Sequence, residues 1–344
     1  MSKQAISIPS SFIIDVLWDC NYNCPMCVKR TLKTPCGQKP LKDLLKLVDK
    51  LTWTKFIKIG ALGDPFMYKG LDKALKYLNN KNIVTPLTTN ASLINEDNIK
   101  SLPRNNQLFV SIDGGSEEIY KRVRGHSLKE IKKNLLLVKR KRPDIVIGFN
   151  CLLFNFNILD AKKLVDFASL IGASISFFFP MYFKPSVEKK MSAYNLGNDL
   201  ISQMMTLARY AEDKQVRYVM TSPFVEERPC LRSLMEPIVA YDGTVYPCDY
   251  VYQDMNNWDH PTWKSYYLGK PMEVPQYQYK MGNLYKEDFR KMWRSDKWKQ
   301  LRRNIIKMNV ETLNKPFIEV VEETDLSIPL EHCKVCLSRW SICL

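Results

Sequence analysis

Read for its apolar and polar positions, the chain alternates between two periods. Phe12-Ile13-Ile14-Asp15-Val16-Leu17-Trp18 is a strand-length apolar run interrupted by one Asp. From Leu41 to Leu51 the apolar residues fall at 41, 44, 45, 48 and 51, the repeat of an amphipathic helix. Phe56–Ile59 reads as a short strand, Leu71–Leu78 as a helix and Ile83–Leu87 as a strand leading into Thr89-Asn90-Ala91-Ser92. A further helix leads to a strand from Leu108 to Asp113; Leu128–Lys139 then reads as helix and Ile145–Leu152 as strand. After Asn157 the apolar positions 158, 161, 164, 165, 168 and 171 predict a helix that stops at Gly172, and Ile175–Phe179 follows as a strand. A helix from Asn198 to Glu212 and a strand from Val216 to Met220 close this unit. Strands alternating with helices six times predict an α/β fold with a parallel sheet and crossover helices. The unusual residues sit in the turns after the strands, as expected of a site at the C-terminal edge of such a sheet.

Directly after the first apolar run come Cys20, Cys24 and Cys27, three thiols at C-x3-C-x2-C spacing. A [4Fe–4S] cluster is usually held by four thiolates, so three ligands leave one iron open for chemistry. The competing reading is a zinc site or unconnected cysteines. A structural zinc site takes four ligands, commonly two C-x2-C pairs, and no His lies nearby.

This loop after a first strand resembles the signature of the radical S-adenosylmethionine (SAM) superfamily. The resemblance covers residues 10 to 215 and implies a partial (β/α)6 TIM-type barrel. It also implies SAM chelated by the open iron, reductive cleavage to a 5′-deoxyadenosyl radical, and an external low-potential electron donor. Met26 stands where the family often has an aromatic residue. Leu62-Gly63-Asp64-Pro65 resembles the Gly-Gly-Glu-Pro segment that receives the SAM amino group, with Leu and Asp as departures. Thr89-Asn90 resembles the step after the third strand. Ser111-Ile112-Asp113-Gly114 with Arg124-Gly125 resembles the ribose-contacting strand end and the basic residue near the SAM carboxylate. The cofactor-contacting positions implied are Gly63, Asp64, Pro65, Asn90, Ser111, Asp113 and Arg124. For each of these turns the plainer reading is an ordinary strand-to-helix connection.

Composition narrows the setting. A chain of 344 residues suits one large domain and a smaller one. No run of 18 apolar residues predicts a membrane span, and no signal peptide is evident. Ten cysteines without a secretion signal read as ligands and free thiols in a reducing cytoplasm. The net charge of +15 points to an anionic partner, or to Lys-rich solvated surfaces. Lys139-Arg140-Lys141-Arg142 and the stretch from Lys286 to Lys307 are its densest parts. The latter has helical spacing, with Phe289, Met292, Trp293 and Leu301 on an apolar face.

From residue 216 to 344 the character changes to a cysteine-rich unit. Cys230 and Cys248 flank Tyr241-Asp242-Gly243-Thr244-Val245-Tyr246, where Asp-Gly between β-prone residues predicts a hairpin. Cys333 and Cys336 form a tight pair, so two plus two thiolates suit a closed iron–sulfur cluster or zinc. The C-x12-G-x4-C pattern and Gly282-Asn283-Leu284 before Trp293-Arg294-Ser295 resemble the auxiliary-cluster domains called SPASM and twitch. The resemblance implies one auxiliary [4Fe–4S] cluster on Cys230, Cys248, Cys333 and Cys336, with Cys343 as a substitute ligand or a free thiol. An aromatic insert with Trp258, Trp263, Tyr266, Tyr267, Tyr277 and Tyr279 reads as a small covering subdomain.

Three function classes follow. The first is a radical SAM enzyme acting on a peptide, a sugar-like metabolite or a nucleotide-linked group, with an oxidative or isomerising outcome. The ten residues before the first strand leave no room for an N-terminal recognition domain, which weighs against leader-dependent and cobalamin-dependent chemistry. An isomerising outcome needs a hydrogen donor, for which Cys36, Cys151 and Cys343 are the spare thiols. The second class is a radical SAM enzyme acting on DNA or RNA, and the third a non-catalytic iron–sulfur or zinc protein.

Overall fold

The computed structural model describes residues 7–27, 29, 37–60, 62–180, 184–222, 231–249, 262–267, 270–275 and 280–314, with the backbone alone at 262–267, 270–275 and 308–314. Chain order begins β1 (Ser11–Ile14), α1 (Leu41–Asp49), β2 (Phe56–Ile59), α2 (Leu71–Asn80), β3 (Leu87–Thr89), α3 (Glu96–Lys100) and β4 (Gln107–Ser111). It continues through α4 (Glu117–Arg124), α5 (Leu128–Lys141), β5 (Val146–Leu152), α6 (Ala161–Ile171), β6 (Ser174–Phe178), α7 (Pro185–Met191), α8 (Asp199–Asp213) and β7 (Tyr218–Met220). Last come α9 (Arg232–Met235), β8 (Ile238–Val239), β9 (Thr244–Tyr246), β10 (Thr262–Tyr267), β11 (Lys270–Pro275), β12 (Gly282–Asn283), α10 (Phe289–Arg294) and α11 (Asp296–Asn314).

The strands from β1 to β7 run parallel, as the alternation predicts. β3 to β7 pair in sequence, β1 pairs β2, and a parallel bridge from Phe56 to Val84 links the two sheets. Period-two alternation sorts the strand residues into two faces. Phe12, Ile14, Ile57, Leu108, Val110, Phe149, Ile175 and Phe177 are buried. Their neighbours Ile13, Lys58, Thr88, Phe109, Ser111, Asn150, Leu152 and Phe178 line a cavity on the other face.

The third strand begins later than the pattern suggests, at Leu87. Pro86 has no N–H to give a ladder, so the apolar run before it makes only the Val84 bridge. The helix after Asn157 follows expectation. All six apolar positions are buried, and the helix ends on Gly172 in the left-handed region.

The Asp-Gly hairpin forms between β8 and β9 as expected, and β12 extends it. β8 also pairs parallel with β1, so a segment beyond residue 215 adds a strand to the first sheet. The predicted apolar face near the C-terminal end is buried: Phe289, Met292, Trp293 and Leu301 pack with Trp298 and Ile305. β10 and β11 pair antiparallel within the aromatic insert. Among the described residues no helix is long and apolar enough to cross a membrane.

Candidate functional site

Leu17 pairs with Gln38 in an antiparallel bridge, and Lys39 N–H donates to the Val16 carbonyl at 2.8 Å. Leu17 and Gln38 therefore hold together the two ends of the segment that leaves β1. That loop holds the three thiols at the mouth of a cavity of about 610 Å³, a size ordinary for a small-molecule site. Cys20, Cys24 and Cys27 all line it, with Gly63, Asp64, Asn90, Ser111 and Arg124.

Each thiol is placed by specific partners. Cys20 Sγ accepts from Tyr22 N–H at 3.4 Å and from Asn90 Nδ2 at 3.8 Å. Cys24 Sγ accepts from Arg124 at 3.8 Å, and Cys27 N–H donates to the Cys24 carbonyl at 3.1 Å. Burial pushes both the Cys20 and Cys24 thiols up, and the Arg124 guanidinium pulls Cys24 back. Two of the thiols thus have hydrogen-bond donors aimed at sulfur, the environment that suits ligand thiolates.

Among the described residues no three Cys, His, Asp or Glu side chains converge closely enough to hold one metal ion. Three thiols lining one cavity, two of them with donors aimed at sulfur, fit a cluster that leaves one iron open.

The turn after β2 is held by Gly63 and Asp64. A Cβ on Gly63 would lie 2.6 Å from the Asp19 carbonyl oxygen, so only glycine lets this turn lie against the start of the cysteine loop. Asp64 N–H donates to that same carbonyl at 2.9 Å. The buried Asp64 carboxylate accepts from Phe66 N–H at 3.0 Å, Asn90 N–H at 2.8 Å and the Thr89 hydroxyl at 2.9 Å. Burial pushes this carboxyl up, against the pull of those donors. Its side chain ties the end of β3 to the turn, and Gly63 and Asp64 both line the cavity. Pro65 opens a single 3-10 turn behind the wall and does not line the cavity.

Asn90 sits between two loops. Its Nδ2 donates to Asn21 Oδ1 at 2.9 Å, and its Oδ1 accepts from the Ser92 hydroxyl at 2.6 Å. Asp113 behaves differently from the expected ribose contact. It is fully buried, does not line the cavity, and accepts from Arg124 Nε and from Leu152 N–H at 2.8 Å. Its role is to aim Arg124, whose other nitrogen reaches Cys24. Burial opposes the charge on Arg124, yet Asp113 and Cys24 hold it firmly protonated.

Arg124 belongs to α4, a helix that periodicity does not announce because only Tyr120 and Val123 are buried on it. Its signals are local: Glu117 and Glu118 in the first turn, and Gly125 left-handed at its end. Sequence reasoning also missed Asn21, Lys58, Arg232 and Asp249. Lys58 lines the cavity and pairs with Glu236 at 2.9 Å; Arg232 pairs with Asp249 at 3.3 Å at the same cavity.

Of the cysteines expected to hold an auxiliary cluster, Cys248 is described and buried. Cys230, Cys333, Cys336 and Cys343 lie outside the described residues, as do Cys36 and the side chains of the aromatic insert. Cys151 is fully buried on the opposite face of β5 from Asn150 and Leu152, and burial raises its thiol well above the ordinary range. It does not face the cavity as a hydrogen donor would.

The basic runs are largely engaged in structure. Arg142 holds Asp144 at 2.7 Å and the Ile99, Leu102 and Pro103 carbonyls. Arg290 lies over Trp53, and Arg302 over Trp293.

Comparison with known proteins agrees with this geometry. Residues 19–168 match the model of the radical SAM superfamily, and residues 230–316 match that of an iron–sulfur cluster-binding domain, SPASM. Among solved structures, Streptococcus suis SuiB bound to S-adenosylmethionine superposes with a TM-score of 0.65 at 16% identity, covering 86% of this chain and 68% of that one. Native anSMEcpe with bound AdoMet and Cp18Cys peptide gives a TM-score of 0.60 at 16% identity, covering 86% of this chain and 83% of that one. SuiB was also solved bound to precursor peptide SuiA. No curated protein sequence matches the chain. The first of these domains implies a [4Fe–4S] cluster and SAM, and the second implies auxiliary iron–sulfur clusters.

Proposed function

We propose that this chain, a radical SAM enzyme by its domain at residues 19–168 with a SPASM domain at 230–316, abstracts a hydrogen atom from a substrate held in the barrel cavity. The observation that carries the reading is the cysteine loop itself. Cys20, Cys24 and Cys27 line a cavity with sulfur-directed donors from Asn90 and Arg124. When bound, the cluster and SAM supply a 5′-deoxyadenosyl radical, and the protein positions and shields it.

Each named residue has a part. Cys20, Cys24 and Cys27 would hold the cluster, three thiolates for four irons. Gly63 and Asp64, which line the cavity, would receive the SAM amino group. Asp64, through Thr89 and Asn90, keeps that turn in register with the loop. Arg124, aimed by Asp113 and bonded to the Cys24 sulfur, would hold the SAM carboxylate. Ser111, at the end of β4, lines the cavity and would contact the ribose. Phe109, Phe178 and Phe179 supply an apolar wall that keeps water from the radical.

The substrate class favoured is a peptide, supported by the fold shared with SuiB and anSMEcpe, both solved with peptides bound. Cys248, with Cys230, Cys333 and Cys336, would hold an auxiliary cluster. The chemistry such a cluster would supply is one-electron transfer, which suits an oxidative outcome. The first electron comes from an external low-potential donor.

The test is anaerobic reconstitution with iron analysis and SAM cleavage. Wild type is expected to carry about eight irons per chain and Cys20→Ala/Cys24→Ala/Cys27→Ala about four, as for two four-iron clusters. With a low-potential reductant, wild type alone should release 5′-deoxyadenosine. A fully loaded wild type that never cleaves SAM, with or without peptide, overturns the proposal.

A further inference from the structure

Two ion pairs stand at the barrel cavity and have no part in the SAM-binding reading above. Lys58 Nζ lies 2.9 Å from Glu236 Oε2, and Arg232 Nη1 lies 3.3 Å from both carboxylate oxygens of Asp249. Lys58, Arg232 and Asp249 line the same cavity as Cys20, Cys24 and Arg124. Strand alternation aims Lys58 inward, since its neighbours Ile57 and Ile59 on β2 are buried on the other face. Arg232 and Asp249 come from the cysteine-rich unit: Arg232 is two residues after Cys230, and Asp249 directly follows Cys248. Glu236 N–H donates to the Arg232 carbonyl at 2.9 Å. One helical turn therefore carries both Arg232 and the partner of Lys58.

Neither pair has the make-up of a structural clasp. The Lys58 and Arg232 side chains keep 42% and 26% of their surface exposed, and pairs so open to solvent add little stability. Arg232 meets Asp249 through one nitrogen, without the two parallel bonds of a fork. Its 3.3 Å contact is longer than the about 2.7–2.9 Å of a strong charge-assisted bond. Glu236, by contrast, is committed. One of its oxygens takes Lys58 and the other accepts from the Ser11 hydroxyl at 2.9 Å, and it does not line the cavity. Beyond the residues assigned to the cluster and SAM, the cavity is thus lined by two cations and one carboxylate. Around them stand Ile13, Leu152, Phe178 and Phe179. A few charges set in a mostly apolar wall are how a pocket orients its ligand.

We infer that Lys58 and Arg232 form a subsite for a carboxylate of the peptide substrate, an Asp or Glu side chain or the C-terminus, within the barrel cavity. This rests on the peptide reading above and adds the group by which the substrate is oriented. The planar guanidinium matches a carboxylate in shape, and Lys58 adds a compact second charge. Asp249 and the substrate carboxylate share the guanidinium, which carries five N–H donors. Asp249 also sets the choice between carboxylate and phosphate. A dianionic phosphate meets the Asp249 charge across the same guanidinium with twice the repulsion that a carboxylate does. Because the subsite is built from β2 and from the segment between Cys230 and Cys248, it holds the substrate where the barrel meets the cysteine-rich unit.

The experiment uses the reconstituted holoenzyme with SAM and two libraries of N-acetylated random hexapeptides, one C-terminally amidated and one with a free C-terminal carboxylate. Retained peptides are identified by mass spectrometry after affinity selection. If the side chain is the group held, wild type should retain Asp- and Glu-bearing members of the amidated library about tenfold over Lys- and Arg-bearing ones. If the terminus is held, the free-acid library should be retained over the amidated one to a similar degree. Lys58→Met and Arg232→Met should each weaken that preference, Arg232→Lys should keep it, and Arg232→Glu should turn it toward Lys- and Arg-bearing peptides. Iron content and melting temperature check that each variant is folded and loaded. A wild type without the preference overturns the inference. So does an Arg232→Glu protein that still prefers acidic peptides, or an Arg232→Met protein that loses acidic and basic peptides alike, as a merely structural role would have it. SAM cleavage is measured on the same preparations. A wild type that cleaves SAM but shows no preference sinks this inference alone, and one that selects carboxylates but never cleaves SAM sinks the catalytic reading and leaves the subsite standing.

Discussion

Lys39 is a lysine with 2% of its surface exposed, placed where the cysteine loop rejoins the sheet. Its ammonium donates to the Tyr241 carbonyl, and to the Ala240 carbonyl and Tyr285 hydroxyl at 3.5 and 3.4 Å, and lies over the Tyr241 and Tyr285 rings. These contacts fasten the base of the loop to the hairpin that leads to Cys248. Burial pulls its pKa down to about 8, although Asp15, Asp242 and Asp43 resist. An unfolded lysine titrates near 10.4. The sign follows from proton counting. Between these two values the unfolded chain binds more protons than the folded one, so stability rises with pH. Below pH 8 both states are protonated and the full penalty of the buried charge is present. From pH 7 to pH 10 this one group should add about 2.5 kcal/mol.

The assay is urea denaturation at half-unit steps over that range, for wild type and Lys39→Met, with the difference curve isolating Lys39 from other titrating groups. Lys39→Met leaves three acceptors without their donor. At pH 7 that loss, about 1–3 kcal/mol, and the relief of the buried charge oppose each other and nearly cancel. At pH 10 only the loss remains, and the variant should be the less stable by about 2–3 kcal/mol more than at pH 7. Parallel pH profiles for the two proteins would refute the reasoning.

The other predictions concern the cavity wall. Gly63→Ala places a methyl 2.6 Å from the Asp19 carbonyl and 2.9 Å from that of Leu17; stability should fall by about 1–3 kcal/mol, and 5′-deoxyadenosine release should fall further than thermal stability accounts for. Release at the wild-type rate would show that the turn does not set the SAM site. Arg124→Met strands the fully buried Asp113 carboxylate and should cost about 3–5 kcal/mol. Arg124→Met/Asp113→Asn should lose less than the sum of the two single changes in denaturation, while SAM binding by equilibrium dialysis stays weak in every protein lacking Arg124. Strict additivity would mean the pair does not act as a unit.

Much of this molecule is legible along the chain because short-range chemistry writes it there. The alternation of periods two and 3.6 announces the parallel strands and most helices, since burial of one face dictates each period. Three thiols within eight residues announce a ligand loop, since local spacing alone brings them together. The Asp-Gly hairpin is visible for the same reason: the turn's backbone conformation is chosen by its two residues, with Gly243 at φ 84°.

Where the chain's local pattern is thin, only the folded state decides. α4 has two buried residues, so periodicity passes over the helix that carries Arg124. Asp113 sits in a motif that suggests contact with a ligand, yet its carboxylate turns inward to Arg124 and Leu152. Nothing in the order of residues says which way a strand-end side chain rotates once a buried guanidinium lies beside it. The pairing of β8 with β1, the Lys58–Glu236 bridge across 178 positions and the bond from Asn90 to Cys20 join segments far apart in sequence. Such contacts depend on how the sheet curves and which loops it brings to one edge, a property of the whole packed chain that no single stretch contains.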